Sequence, residues 1–223
     1  MRRCRTAVRE IGQRYLNDTA FRGFVSVCIG LAVNFCYAAF RTVMGILYGS
    51  VWLISSAVYF VCLAWIRAGL AISYRHRSGK PAGFERRCYR RTAWFLFILD
   101  LPMCGMIFLT VTGNAAVSYP GYTIYASAAY TFWMLTHAIV QTKRFRRLGS
   151  PILSASKAVS LVATLMSLFG LQNGMIVTFS GKEESFRQLM NALTGAGVSA
   201  VTVVIAVSML IRSAQAEQEV PDE

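Results

Sequence analysis

Three ionisable residues, Arg67, Asp100 and His137, lie inside long apolar runs of this 223-residue sequence. A charged group loses its hydration when apolar surroundings replace water, so such residues are rare there and are candidates for function. A carboxyl, an imidazole and a guanidinium could together bind a proton or a small ion. Tyr130 precedes His137 by two helical turns and would add a hydroxyl on the same helix face. These four residues form the predicted polar site.

The depth of each charged residue can be counted from the nearest basic residue at the end of its run, at about 1.5 Å per helical residue. By this count Asp100 lies about 13 Å deep, Arg67 about 12 Å and His137 about 9 Å. The three residues belong to consecutive apolar runs, and consecutive helices tend to be neighbours. We therefore expect them to share one layer of the molecule.

Two interpretations of this layer stay open. In the functional one, Asp100 and His137 bind a proton or a cation, and Arg67 adjusts the charge of the site. In the structural one, Asp100 pairs with Arg67 or His137 and only fixes how the helices align.

The elements that must position these residues are predicted from composition and run length. Hydrophobic residues make up 55% of the chain and charged residues 15%, against about 25% charged residues in soluble domains. Backbone groups in lipid must be hydrogen-bonded within their own segment, so runs of about 20 apolar residues indicate helices. The sequence predicts an all-α, polytopic bundle of six transmembrane helices, at residues 22–40, 45–67, 92–112, 121–141, 157–179 and 192–211.

The direction of the helices follows from loop charge. Basic residues concentrate in the N-terminal flank and in the second and fourth loops, whereas the other loops are short, uncharged or balanced. Positive loops face the cytoplasm, which predicts a multi-pass protein of a bacterial plasma (inner) membrane with both termini inside. The predicted parts are a basic cytoplasmic segment (1–21), the transmembrane domain (22–211) and an acidic cytoplasmic tail (212–223).

Small residues recur at three- and four-residue spacing in the last two predicted helices. Such faces let helix backbones approach closely, so we expect helices five and six to pack together as a hairpin. A hydroxyl-lined pathway is the alternative. The predicted packing residues are Ser160, Thr164, Ser167, Gly170, Gly174, Gly195 and Ser199.

Several functional classes lack support in the sequence. No HExxH motif or paired aspartate motif occurs, and the chain has two histidines, which argues against an enzyme. The cysteines and histidines show no metal-ligand spacing, so we expect no metal or cofactor. The net charge of +13 lies between apolar runs, which indicates anionic lipid headgroups of the bilayer as partners and excludes a nucleic-acid role.

Two short motifs mark the starts of predicted helices two and four: Tyr48-Gly49-Ser50-Val51-Trp52 and Tyr119-Pro120-Gly121-Tyr122. With them, residues 45–200 resemble an uncharacterised family of small six-helix bacterial membrane proteins. The resemblance implies the six-helix architecture and carries no known activity.

From these observations we expect transport or permeation of a small solute or ion. The alternative is a non-catalytic regulatory or assembly partner, acting with another protein or as a homo-oligomer. A water-accessible cavity that reaches Asp100 would distinguish the two, because transport requires it and assembly does not.

Overall fold

The computed structural model describes residues 19–76, 82–112, 122–144, 150–179 and 184–218. Within these ranges the chain forms α-helices and no strand, as predicted. The helices are α1 (Thr19–Leu47), α2 (Val51–Arg75), α3 (Ala82–Thr112), α4 (Thr123–Arg144), α5 (Pro151–Phe179) and α6 (Glu184–Gln218).

Five of these helices, α1, α2, α3, α5 and α6, are long and apolar enough to cross a membrane. The fourth helix, α4, has 22 residues, and its tyrosine, serine, threonine and histidine side chains reduce its apolar content. Large apolar side chains such as Trp65 and Leu101 point outward, at 79% and 70% exposure. Five such helices and an apolar outer surface are consistent with a multi-pass membrane protein.

The turn between α1 and α2 is tight, because the sequence supplies the residues that such a turn needs. Gly49 adopts a positive φ of 60°, which favours glycine. Ser50 follows as the N-cap of α2, and its side chain accepts a hydrogen bond from the backbone N–H of Leu53. Next to the turn, a Cβ at Gly45 would come within 2.7 Å of Ile54, so the two helices touch at this end. The turn therefore makes α1 and α2 a closely packed antiparallel pair.

The centre of the bundle is α5, which contacts each of the other five helices. Its apolar span is 67% buried, compared with 28% to 56% for the other four candidate spans. The remaining helices pack chiefly in two pairs, α1 with α2 and α3 with α6. Because α5 lies between these pairs, its polar side chains face the interior of the bundle.

Candidate functional site

Arg67 is fully buried in α2, with none of its surface exposed. Its Nη2 donates a hydrogen bond of 2.9 Å to Oγ of Ser160 on α5. Its Nε and Nη1 have no hydrogen-bond partner, and the guanidinium has no ion pair, among the residues that the structure describes. A Cβ at Gly30 of α1 would overlap Nη1, so only glycine leaves room for the guanidinium. The charge of Arg67 is therefore held inside the bundle with one direct polar contact.

Tyr130 joins α4 to this region. Its hydroxyl donates a hydrogen bond of 2.9 Å to Oδ1 of Asn34 on α1. Its ring stacks on Tyr37, with 3.5 Å between the ring centroids, and meets Phe60 edge-on. Nδ2 of Asn34 is buried and has no hydrogen-bond partner in the described ranges. Asn34 thus adds a second inward-facing donor, one turn of α1 away from Gly30 and the Arg67 guanidinium.

His137 lies two turns further along α4 and is partly buried. Its Nε2 is 3.4 Å from Oγ of Ser26 on α1, and its ring stacks on Trp133 with 4.9 Å between centroids. Ser26, Gly30 and Asn34 lie on successive turns of α1, and they face His137, Arg67 and Tyr130 respectively. The structure therefore brings Arg67, Tyr130 and His137 into one region, between α1, α2, α4 and α5.

Asp100 lies apart from this region, in the contact between α3 and α6. Its Oδ2 accepts a hydrogen bond of 2.8 Å from Ser199 and lies 3.7 Å from the sulfur of Cys104. Among the described residues it forms no hydrogen bond or ion pair with Arg67 or His137. The pairing that the structural interpretation expects for Asp100 is therefore not formed among the described residues. An equal depth in the bundle does not bring Asp100 to Arg67 or His137, because α3 turns the Asp100 side chain toward α6.

Arg41 is a functional candidate that the sequence analysis missed. This residue of α1 is 1% exposed, and it donates hydrogen bonds of 2.7 Å to Ser56 Oγ and to the hydroxyl of Tyr37. Its guanidinium also lies over the rings of Tyr37 and Trp52, at 4.8 and 5.0 Å from their centroids. The first predicted helix ends at residue 40, so Arg41 lay outside it. The apolar residues that continue to Leu47 indicate that Arg41 lies within the first helix and not at its end.

The predicted packing residues do line helix contacts, but the contacts differ from the expected hairpin. Ser160 meets Arg67, and Ser167 contacts Thr131 of α4. A Cβ at Gly170 would come within 3.0 Å of the Arg41 guanidinium. The small face of α5 therefore accommodates side chains of α2, α4 and α1.

The small face of α6 packs against α3. A Cβ at Gly195 would come within 2.6 Å of Ile107, and Ser199 bonds to Asp100. Gly174 and Thr164 are buried in α5, where Thr164 bonds to the carbonyl of Ser160. Amide pairs join α5 to α6, namely Asn173 with Asn191 and Gln172 with Thr194.

The interior site is rich in donors and carries positive charge. The unpartnered atoms of Arg67 and of the Asn34 side chain are all N–H donors, so an acceptor or an anion would complement them. In the described part of the chain, no group of three His, Cys, Asp or Glu residues is placed to hold a metal ion. Comparison with protein-family models gave no match, and no curated protein matches the chain.

Proposed function

We propose that this protein spans the plasma membrane six times, with α4 as the sixth span and both termini in the cytoplasm, and transports a small anion through its interior. The loop charges support the orientation. Cationic and donor groups buried inside the bundle support the anion.

The observation that carries the proposal is the buried guanidinium of Arg67. Transferring such an ion from water to the protein interior costs several kcal/mol, even after relaxation. A residue that only fixed helix alignment would recover this cost through a carboxylate partner, and the described residues provide none. A halide or small carboxylate beside Arg67 would supply the missing negative charge. Intramembrane cations of this kind are typical of ion pathways.

Arg41 provides a second cationic position along the same interior. Its partner Ser56 precedes Arg67 by 11 residues of α2, which corresponds to about 16 Å, or half of the roughly 30 Å apolar core. Tyr37 connects the two positions, because its hydroxyl accepts a hydrogen bond from Arg41 and its ring stacks on Tyr130. Conduction requires several binding positions of moderate strength, so that an ion can enter and also leave. Two arginines at different depths meet this requirement.

Liposome flux measurements test the proposal directly. We expect the purified full chain to accelerate chloride, nitrate or formate flux, measured with an anion-sensitive dye inside the vesicles. Arg67→Met should abolish this flux, and Arg67→Lys should keep part of it. Arg212→Gln removes an exposed arginine of α6 and should leave the flux unchanged. An inactive wild type, or flux through Arg67→Met equal to wild type, would favour the role of a regulatory or assembly partner.

Cysteine labelling tests the orientation. In a variant with its native cysteines replaced by serine, an impermeant maleimide should label Cys introduced at Ala116 or Ser180 in intact cells. Cys introduced at Ser78 or Ser150 should react only after the membrane is opened. Labelling of Ser78→Cys from outside would overturn the orientation, and labelling of Ser150→Cys from outside would remove α4 as a span.

A further inference from the structure

A groove of about 560 Å³ runs between α2 and α3 on the outer surface of the bundle, away from the arginine interior. Cys62, Gly69 and Ser73 line it on α2, and on α3 the lining runs from Cys88 through Arg91 to Pro102. Between Arg91 and Pro102 the lining side chains are almost all apolar. The groove is open along its side, so a chain-like molecule could enter it from the surrounding lipid.

The apolar part of the groove, from Arg91 to Pro102, matches one leaflet of a bilayer in length. Arg91 and Pro102 are 11 residues apart on α3, which corresponds to about 16 Å. Half of a typical hydrocarbon core is about 15 Å. A molecule that fills the groove would therefore extend from the membrane surface to its midplane, as a lipid acyl chain does.

The surface end of the groove is positively charged. Arg91 lies at this end, Arg87 is one turn before it, and Arg75 ends α2 on the opposite wall. All three are exposed, and none forms a hydrogen bond or ion pair within the described ranges. Guanidinium groups bind phosphate through paired, charge-assisted hydrogen bonds. The polar end of the occupant should therefore be an anionic phosphate headgroup.

We propose that this groove binds an anionic phospholipid, with one acyl chain along the apolar wall and the phosphate at Arg91. A soluble anion would leave the apolar length of the groove uncovered. In the proposed orientation the lipid belongs to the cytoplasmic leaflet. The site is separate from the arginine interior and does not depend on the proposed anion transport.

Native mass spectrometry of the detergent-purified full chain tests the headgroup contact. We expect phosphatidylglycerol to bind more tightly than phosphatidylcholine with the same acyl chains. An arginine near the membrane surface contributes about 1 kcal/mol to binding of anionic lipid, a factor of about five. Arg91→Gln should weaken phosphatidylglycerol about fivefold, and adding Arg87→Gln should give about 25-fold. Arg212→Gln, which removes the same charge from α6 outside the groove, should have no effect.

A steric variant tests the acyl-chain contact. A Cβ at Gly69 meets no atom within 4 Å, so Gly69→Leu would fill the groove without disturbing the protein. Gly197→Leu makes the same change at an equally open position of α6 and serves as its control. We expect Gly69→Leu alone to reduce lipid binding at least fivefold, with equal thermal stability of both variants. Equal affinity for the two lipids, an equal loss in Arg212→Gln, or unchanged binding in Gly69→Leu would each overturn the proposal.

Discussion

Replacing each buried arginine by methionine shows whether its positive charge stabilises or destabilises the folded protein. Arg41 and Arg67 are both almost completely buried, so each pays a similar cost for leaving water. Methionine is apolar, flexible and unbranched, so it can occupy the space of the arginine stem. The difference between the two variants therefore reports the contacts that each guanidinium makes.

The contacts predict a large difference. Arg41 donates two hydrogen bonds of 2.7 Å and lies over aromatic rings, whereas Arg67 donates one of 2.9 Å. One additional hydrogen bond to a charged group contributes about 1.5 to 3 kcal/mol, and a desolvated cation–π contact about 2 kcal/mol. We expect Arg41→Met to be less stable than Arg67→Met by about 3 to 5 kcal/mol. Arg67→Met itself should be neutral or more stable than wild type, because it removes a poorly compensated charge.

Unfolding in detergent with added denaturant measures both values, and the intrinsic fluorescence of the protein can follow the transition. The comparison should be made at low chloride concentration, because a bound anion would stabilise Arg67 in the wild type. If Arg67→Met loses as much stability as Arg41→Met, then Arg67 is a structural residue. The argument for a functional cation would then fail.

Glycine positions give two further predictions. Gly30→Ala should abolish anion flux with little loss of folded protein, because the methyl group of alanine would occupy the place of the Arg67 guanidinium. Liposome flux measures the activity, and size-exclusion chromatography measures the amount of folded protein. Normal flux in this variant would contradict the prediction. Gly195→Leu should destabilise the bundle by about 1 to 3 kcal/mol, because it would press on Ile107 of α3. Gly197→Leu, at an open position of the same helix, should change stability by less than about 0.5 kcal/mol; equal effects in a detergent unfolding assay would refute the packing argument.

The sequence predicted the all-helical architecture because its signals act within one segment. The length of an apolar run is a local property, so it can be read without knowing which helices are its neighbours. The first helix was predicted too short for a different reason. An arginine at the end of an apolar run normally marks a membrane boundary, but Arg41 is surrounded by Tyr37, Ser56 and the aromatic ring of Trp52. These contacts form only when α1 and α2 pack together, so the run of residues in α1 does not reveal them.

The candidate site was predicted less well, because depth along a helix can be counted but the direction of a side chain around it depends on packing. Arg67, Tyr130 and His137 come together because α2 and α4 both turn these side chains toward the same face of α1. Asp100 has a similar predicted depth, but α3 packs against α6, and the carboxyl of Asp100 therefore points toward Ser199 of α6. The apolar face around Asp100 gave no signal of this direction.

The separation of Asp100 from Arg67 can be tested by a double-mutant cycle. Breaking a buried ion pair costs about 3 to 5 kcal/mol, and restoring neutrality recovers much of it. In the structure, Asp100 accepts its short hydrogen bond from Ser199, and an asparagine oxygen can accept the same bond. Asp100→Asn should therefore cost less than about 1.5 kcal/mol, since it loses only the charge assistance of that bond. Its effect should add to that of Arg67→Gln within about 0.5 kcal/mol. Ser199→Ala, which leaves the buried carboxylate without this donor, should cost about 1.5 to 3 kcal/mol. A coupling energy above about 1 kcal/mol between Asp100 and Arg67 in detergent unfolding would show that the two charges interact, and Arg67 would then have the counter-ion that anion transport requires it to lack.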